Sequence, residues 1–269
     1  MDILDKIIAH KKQEVARQQE LVSLETLQQQ QHFQRETLSL SAFLQRADKS
    51  GIIAEFKRQS PSKGVIHATA DVQSVTQAYS QAGASGLSVL TDHEFFGGAA
   101  NDLTQARAVN ATPILRKDFI ISEYQIYEAK AIGADVILLI AAALDAATLA
   151  RFTQVAHELQ LEVLLEIHSE EELEPALAAQ PDLIGVNNRN LKTFITSLEV
   201  SRKLITQLPK HITAVSESGI SSIEAIIELK QLGYRGFLMG EKFMQHTNPE
   251  LAANTFMKAL SHAENTDYA

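Results

Sequence analysis

A chain of 269 residues with a formal net charge of -9 and no cysteine is ordinary for one α/β barrel and long enough to bury a sizeable core. The missing cysteines exclude a disulfide framework, a thiolate metal site and a cysteine nucleophile, and they fit a reducing cytosol. The acidic balance, without a basic stripe, excludes broad nucleic-acid binding and leaves local cations to hold a small anion. The start, MDILDKIIAHKKQEVARQQE, carries Asp2 and Asp5 and no continuous apolar core, so it reads as neither a secretory signal nor a membrane segment. Ile3, Leu4, Ile7, Ile8 and Val15 recur near helical spacing, which predicts an amphipathic helix lying on the body of the protein. The glutamines at 28–31 read as a solvated helix face or a linker.

From residue 51 onward short apolar runs alternate with helical patterns, as in a parallel sheet of βαβ units. The runs are IIAEFK (52–57), LSVL (87–90), PILRK (113–117), VILLI (136–140), EVLLEI (162–167), LIGVNN (183–188), TAVSES (213–218) and GFLMG (236–240). Gly83, Gly133 and Gly233 stand where helices should stop and turn back toward the sheet. Eight uninterrupted repeats predict a closed (β/α)8 TIM barrel over 51–269, with residues 1–50 as an N-terminal helical extension packed on it. A doubly wound open sheet is the structural competitor, but no G-x-G-x-x-G follows the first run.

In such a barrel the active site lies at the C-terminal ends of the strands. Several runs close on polar residues: Glu55 and Lys57, Lys117, Glu166, Asn187 and Arg189, Ser216 and Ser218. Glu55 and Lys57 share one side of their strand by period-two geometry, and either a solvated strand end or a ligand would explain them. A partly desolvated lysine with a lowered pKa could donate a proton, and a carboxylate in an apolar wall, raised toward neutrality, could accept one; Lys117 and Glu166 are the first choices. Arg116, of opposite parity, should face the helices; Glu162 shares parity with Glu166 but belongs at the far rim. His168 titrates in the right range, yet its parity turns it away from Glu166. Phe95 and Phe96 are either core filler or an aromatic wall for a flat ligand. Gly219, Gly240 and the amide of Glu241 could hold a phosphate, with ordinary βα turns as the competing reading. No histidine pair stands at metal-ligand spacing beside an acid cluster, so no metal is assigned.

The stretches IIAEFKRQSPSKG, SVLTDHEFFGG, ILRKDFIISEYQIYEAKAIGADVILLI, LEVLLEIHSEEEL, IGVNNRNLKTF, VSESGI and GFLMGEKFM, in this order, closely resemble the indole-3-glycerol phosphate synthase family of tryptophan biosynthesis. The resemblance covers nearly the whole chain. It implies a carbon-carbon lyase that closes an indole ring on 1-(2-carboxyphenylamino)-1-deoxyribulose 5-phosphate with loss of carbon dioxide and water, and that needs no cofactor. It makes Lys117 the general acid toward the ribulose carbonyl oxygen, gives Glu166 a part in the later dehydration, and has Glu55 orient or relay protons around Lys117. Lys57 would hold an anionic part of the substrate, with Ser60 in the loop that follows. Asn187 and Arg189 match the polar pocket wall, Phe96, Phe119 and Leu191 the apolar surfaces against the ring. Ser218, Gly219, Gly240 and Glu241 fall on the phosphate side. Many family members carry a small hydroxyl residue where Glu241 stands, so its amide rather than its side chain is expected to serve the phosphate. The extension is expected to cap the barrel and contribute to substrate binding.

Two competing readings stay open from the residues alone. A phosphosugar isomerase would share the phosphate turns but has no need of an aromatic wall, and a phosphate-ligand binding protein would have no use for an acid and a base set apart. A cytoplasmic monomer or weak homodimer is expected.

Overall fold

Period-two alternation sends one set of side chains from each run inward and the other outward. The computed structural model describes residues 2–190 and 193–266 and shows where each set goes. The barrel strands are β1 Ile52–Phe56, β2 Gly86–Leu90, β3 Ile114–Lys117, β4 Val136–Ile140, β5 Glu162–Ile167, β6 Leu183–Asn187, β7 Thr213–Glu217 and β8 Gly236–Met239. They pair in parallel in sequence, and β8 returns to β1 to close the ring. Each strand lies within one residue of the run predicted for it. A two-residue antiparallel ladder, Gln59–Ser60 with Gly64–Val65, folds the loop after β1; strands that short carry no alternation to detect.

Helices cover the outside. Val72–Gln81 starts at Asp71 and Ile223–Leu232 at Ser222, each side chain accepting an otherwise unpartnered backbone N–H of the first turn. Gly133 and Gly233, with φ of 97° and 122°, close helices Glu123–Ile132 and Ile223–Leu232. Ile52, Ala54 and Phe56 face outward and join the large core beneath the helices. Ile53, Leu115, Val136, Leu138, Leu164, Leu183, Val215 and Leu238 point inward and fill the barrel.

The residues before β1 reach both ends of this barrel. At the N-terminal end of the strands, Leu40 and Leu44 of the short helix Leu40–Leu44 insert into the inner core. Gly86 leaves the room, because a Cβ there would lie 2.5 Å from the Leu40 side chain. Glu162, at the far rim as expected, accepts bonds from Ser39 Oγ (2.6 Å), Ser41 Oγ (2.6 Å) and Ser41 N (3.0 Å). That end is closed and satisfied, so ligand access is left to the other.

Helix α1, Ile3–Leu21, opens with an Asp2/Asp5 capping box and buries Ile7, Lys11 and Val15, one residue per turn along a single stripe. Lys11 is fully buried, its Nζ 2.9 Å from Asp92 and 3.0 Å from Asp118. These carboxylates follow β2 and β3. Desolvating such ions costs several kcal/mol each, offset here by close opposite charges.

Candidate active site

The strand-end residues predicted from parity converge on a cavity of about 440 Å³ at the C-terminal mouth of the barrel, within the range of small-molecule sites. Glu55, Lys57, Ser60, Phe96, Lys117, Phe119, Glu166, Asn187, Arg189, Ser218, Gly219, Gly240 and Glu241 all line it. Leu191 lies outside the described residues. Ile3, Leu4 and Ile7 of α1 roof the cavity, so the extension contributes apolar wall to the site.

At the floor of the cavity, Lys117 Nζ donates to Glu166 Oε2 at 3.1 Å and lies 3.6 Å from Glu217 Oε2. Burial pulls the Lys117 pKa down, but Glu166, Glu217 and Glu55 together outweigh burial and raise it. Burial would likewise raise Glu166; Lys117, His168 and the Asn187 amide reverse that and hold it low. The expected directions, a lowered lysine and a raised carboxylate, are therefore corrected for this pair: facing each other, both stay charged. The neutral acid is Glu217, raised by its own burial and by the nearby charges of Glu166 and Glu55 against the pull of Lys117. Residue-type scanning passed over Glu217, although its parity with inward Val215 was a usable signal. Gly185 on β6 gives it space, since a side chain there would collide with the Glu217 carboxylate.

Ser216, expected at the rim, is instead buried behind the sheet, bonded to Ser201 Oγ at 2.8 Å and accepting from Asn188 Nδ2 at 3.0 Å. Alternation requires this once Glu217 points inward. Arg116 faces the helices, donating to Gln125 O at 2.8 Å and Glu128 at 2.6 Å. His168 is a second correction. The strand ends at Ile167, parity no longer applies beyond it, and the imidazole returns to within 3.3 Å of Glu166 Oε1.

The walls divide by chemistry. Phe96 and Phe119 form an apolar side, ring centroids 5.9 Å apart, while Phe95 turns to His10 of α1. Lys57 pairs with Glu55 at 2.6 Å, and Gly240 admits Glu55, whose Oε1 would be 2.6 Å from a Cβ at that position. Ser218 and Gly219 after β7 both take left-handed backbone, φ 66° and 75°, a strained turn of the kind found at ligand sites. The Glu241 carboxylate is turned to Lys63 (3.3 Å) and Arg189 (3.8 Å), and Arg189 also reaches Ser62 Oγ at 3.2 Å. Those contacts tie the loop after β1 to the ends of β6 and β8.

A closed eight-stranded barrel whose open mouth sets Lys117 against the carboxyl groups of Glu166 and Glu217, beside an aromatic wall, is the architecture of a (β/α)8 enzyme working by proton transfer. Solved structures share this fold: a thiamine phosphate pyrophosphorylase from Pyrococcus furiosus aligns with a TM-score of 0.58 at 16% identity over 78% of this chain and 95% of that one. A (putative) lactate oxidase from Pediococcus acidilactici gives 0.60 at 14%, covering 78% of this chain and 68% of the other. Residues 4–256 match the model of the indole-3-glycerol phosphate synthase family. An indole-3-glycerol phosphate synthase of Bacteroides thetaiotaomicron is 50% identical over 96% of this chain and 99% of its own. One from Laribacter hongkongensis is 44% identical over 93% and 97%. The chain belongs to the indole-3-glycerol phosphate synthase family, carbon-carbon lyases of tryptophan biosynthesis acting on a phosphorylated small molecule.

Proposed function

We propose that this cavity binds 1-(2-carboxyphenylamino)-1-deoxyribulose 5-phosphate with its aryl ring against Phe96 and Phe119 and closes the indole ring there. The observation that carries the reading is Lys117 Nζ held 3.1 Å from Glu166 and 3.6 Å from Glu217 on the cavity floor. Lys117, kept protonated by its carboxylates, donates to the ribulose carbonyl oxygen as the aromatic carbon attacks. The entering oxygen takes the place of Glu166 beside the ammonium, and the anionic Glu166 then removes the proton lost as the indole double bond forms. Glu217 is loaded to protonate the departing hydroxyl. Lys57, oriented by Glu55, faces the aryl carboxylate, with Asn187 and Arg189 along the ribulose chain. The phosphate lies at Ser218, Gly219, Gly240 and the Glu241 amide, under the loop carrying Ser60. No cofactor is used.

The aromatic wall favours this reading over a phosphosugar isomerase on the same barrel. Incubation with the arylamino-ribulose phosphate should produce indole fluorescence; tight binding without turnover would overturn the assignment in favour of a binding protein. The same reading makes the chain a cytoplasmic monomer or weak homodimer. Among the described residues no helix is long and apolar enough to cross a membrane, and the exposed large apolar side chains are the neighbours Leu21 and Leu24, the pair Phe194 and Ile195, and Val65, Leu232 and Leu251. Sedimentation at micromolar concentration tests the oligomeric state.

A further inference from the structure

Behind Glu166, away from the cavity, three side chains run outward in line. Glu166 Oε1 lies 3.3 Å from His168 Nε2, and His168 Nδ1 lies 3.6 Å from Glu172 Oε2. Side-chain exposure rises along the row from 3% to 12% to 23%. The His168 backbone N–H donates to the same Glu172 oxygen at 2.7 Å, which fixes the two residues relative to each other. Both ring nitrogens are buried and make no well-aligned hydrogen bond among the described residues. Buried polar atoms are rarely left so. The ring stands between two acceptors, within a small rotation of each and locked to neither.

The ring closure proposed above creates a need for such an arrangement. The carbonyl oxygen takes one proton as the carbon-carbon bond forms and its π pair moves to oxygen, and a second when the carbon-oxygen bond breaks and water leaves. The ring-carboxylate bond breaks with its pair kept by the ring, releasing neutral carbon dioxide. One proton returns when the carbon-hydrogen pair becomes the indole double bond. For an ionised aryl carboxylate the sum is one proton taken from solvent per turnover. Substrate fills the mouth during these steps, so the open side of the cavity is occupied.

We propose that His168 is a positioning and relay residue behind the substrate: after Glu166 hands the proton it took from carbon to neutral Lys117, 3.1 Å away, His168 passes it the one proton drawn through solvent-facing Glu172, and Glu166 hands that on to Glu217, which gave its own to the departing hydroxyl. The inference rests on the ring-closure reading. The charged groups facing the imidazole are Glu166 and Glu172, with Glu217 across the barrel and Lys117 on the far side of Glu166. Burial lowers the imidazole pKa, but Glu172 and Glu166 beside the ring, with Glu217 farther off, outweigh it and raise it.

His168→Ala should lower kcat by about 10-fold to 100-fold with little change in KM, short of the 100-fold to 10,000-fold typical of a group touching the reacting atoms. Added imidazole should restore much of the rate, which repair of a merely structural defect would not do. His168→Gln keeps the volume but cannot titrate. It should be as slow as the alanine variant, and the alkaline fall in kcat that tracks loss of the imidazole proton should vanish. Thermal unfolding shows whether each variant is folded, and the glutamine variant carries the test if the alanine variant is not. Full activity in His168→Gln, or no response of a folded His168→Ala to imidazole, overturns the relay alone. Absence of turnover in the parent protein overturns the ring-closure reading and the relay with it.

Discussion

Lys11 and Lys117 are both buried amines facing carboxylates, and in both the opposite charges outweigh burial and raise the pKa. What separates them is access. Lys117 borders the cavity, with Glu166 and Glu217 on one side and room for a ligand on the other. Lys11 is sealed between α1 and the turns after β2 and β3, and its partners are committed elsewhere: Asp92 Oδ1 accepts from Phe95 N at 2.8 Å and Asp118 Oδ1 from Phe119 N at 2.8 Å. A perturbed, paired lysine is thus no sign of chemistry until something can reach it. Lys11 instead fixes the two turns that carry Phe96 and Phe119, and with them the roof.

The same substitution at both positions tests this contrast. Lys117→Met should lower kcat by about 100-fold to 10,000-fold with a modest change in unfolding free energy, because water in the cavity can solvate the freed carboxylates. A steady-state assay beside a denaturant titration decides. Lys11→Met should do the reverse, costing about 3–5 kcal/mol of stability, the usual penalty for leaving buried charges without their partner, while the catalytic groups stay in place. It should also shift the acid limb of stability. Burial would raise Asp118, but Arg116 and Lys11 hold it down at about 2. Its stabilising contribution is therefore complete above the unfolded value near ~4 and lost as pH falls toward about 2. Without Lys11 the folded value moves toward the unfolded one, so that loss should be smaller and complete at higher pH, read by urea midpoints from pH 2 to 6.

The smallest expected effect is on pH dependence at the mouth. Glu217 titrates at about 8 in the folded chain against ~4.3 unfolded. Between these values the folded state holds a proton that the unfolded state has released, so stability falls as pH rises. Glu217→Gln should match the parent at pH 4 and exceed its melting temperature at pH 8 while losing activity. Equal pH slopes for the two proteins would remove the claim that Glu217 is the neutral acid.

The barrel was legible because β1 to β8 alternate or run apolar between clear turn signals, as in VILLI and EVLLEI, and strand-end parity carried Glu55, Lys117, Glu166 and Asn187 to one mouth. Parity failed at its limits. Applied to His168, one residue beyond the end of β5, it pointed the wrong way. At β7 the serines of SESG drew notice while Glu217, in register with Val215, was the inward residue. Lys11 was hidden for a different reason: a lysine on an otherwise apolar stripe reads as a solvated edge until the carboxylates that meet it, from residues 92 and 118, are known to be neighbours. The pKa directions at the floor depend on which charges face each other across the barrel, and no one-dimensional spacing encodes that.

The first fifty residues seal one end of the barrel with Leu40 and Leu44 and cover the other with α1. They leave the ribosome before the barrel, and their partners come late. Lys11 must wait for Asp118, and Ser39 and Ser41 for Glu162, more than 120 positions downstream. The amphipathic helix must wait for Asp118 and the greasy two-leucine plug for the barrel's inner side chains, which lengthens the average loop to be closed and slows assembly. The interval in which nascent chains are most open to misassociation should therefore extend past β5 to the completion of the ring, whose last strands supply the plug's remaining partners.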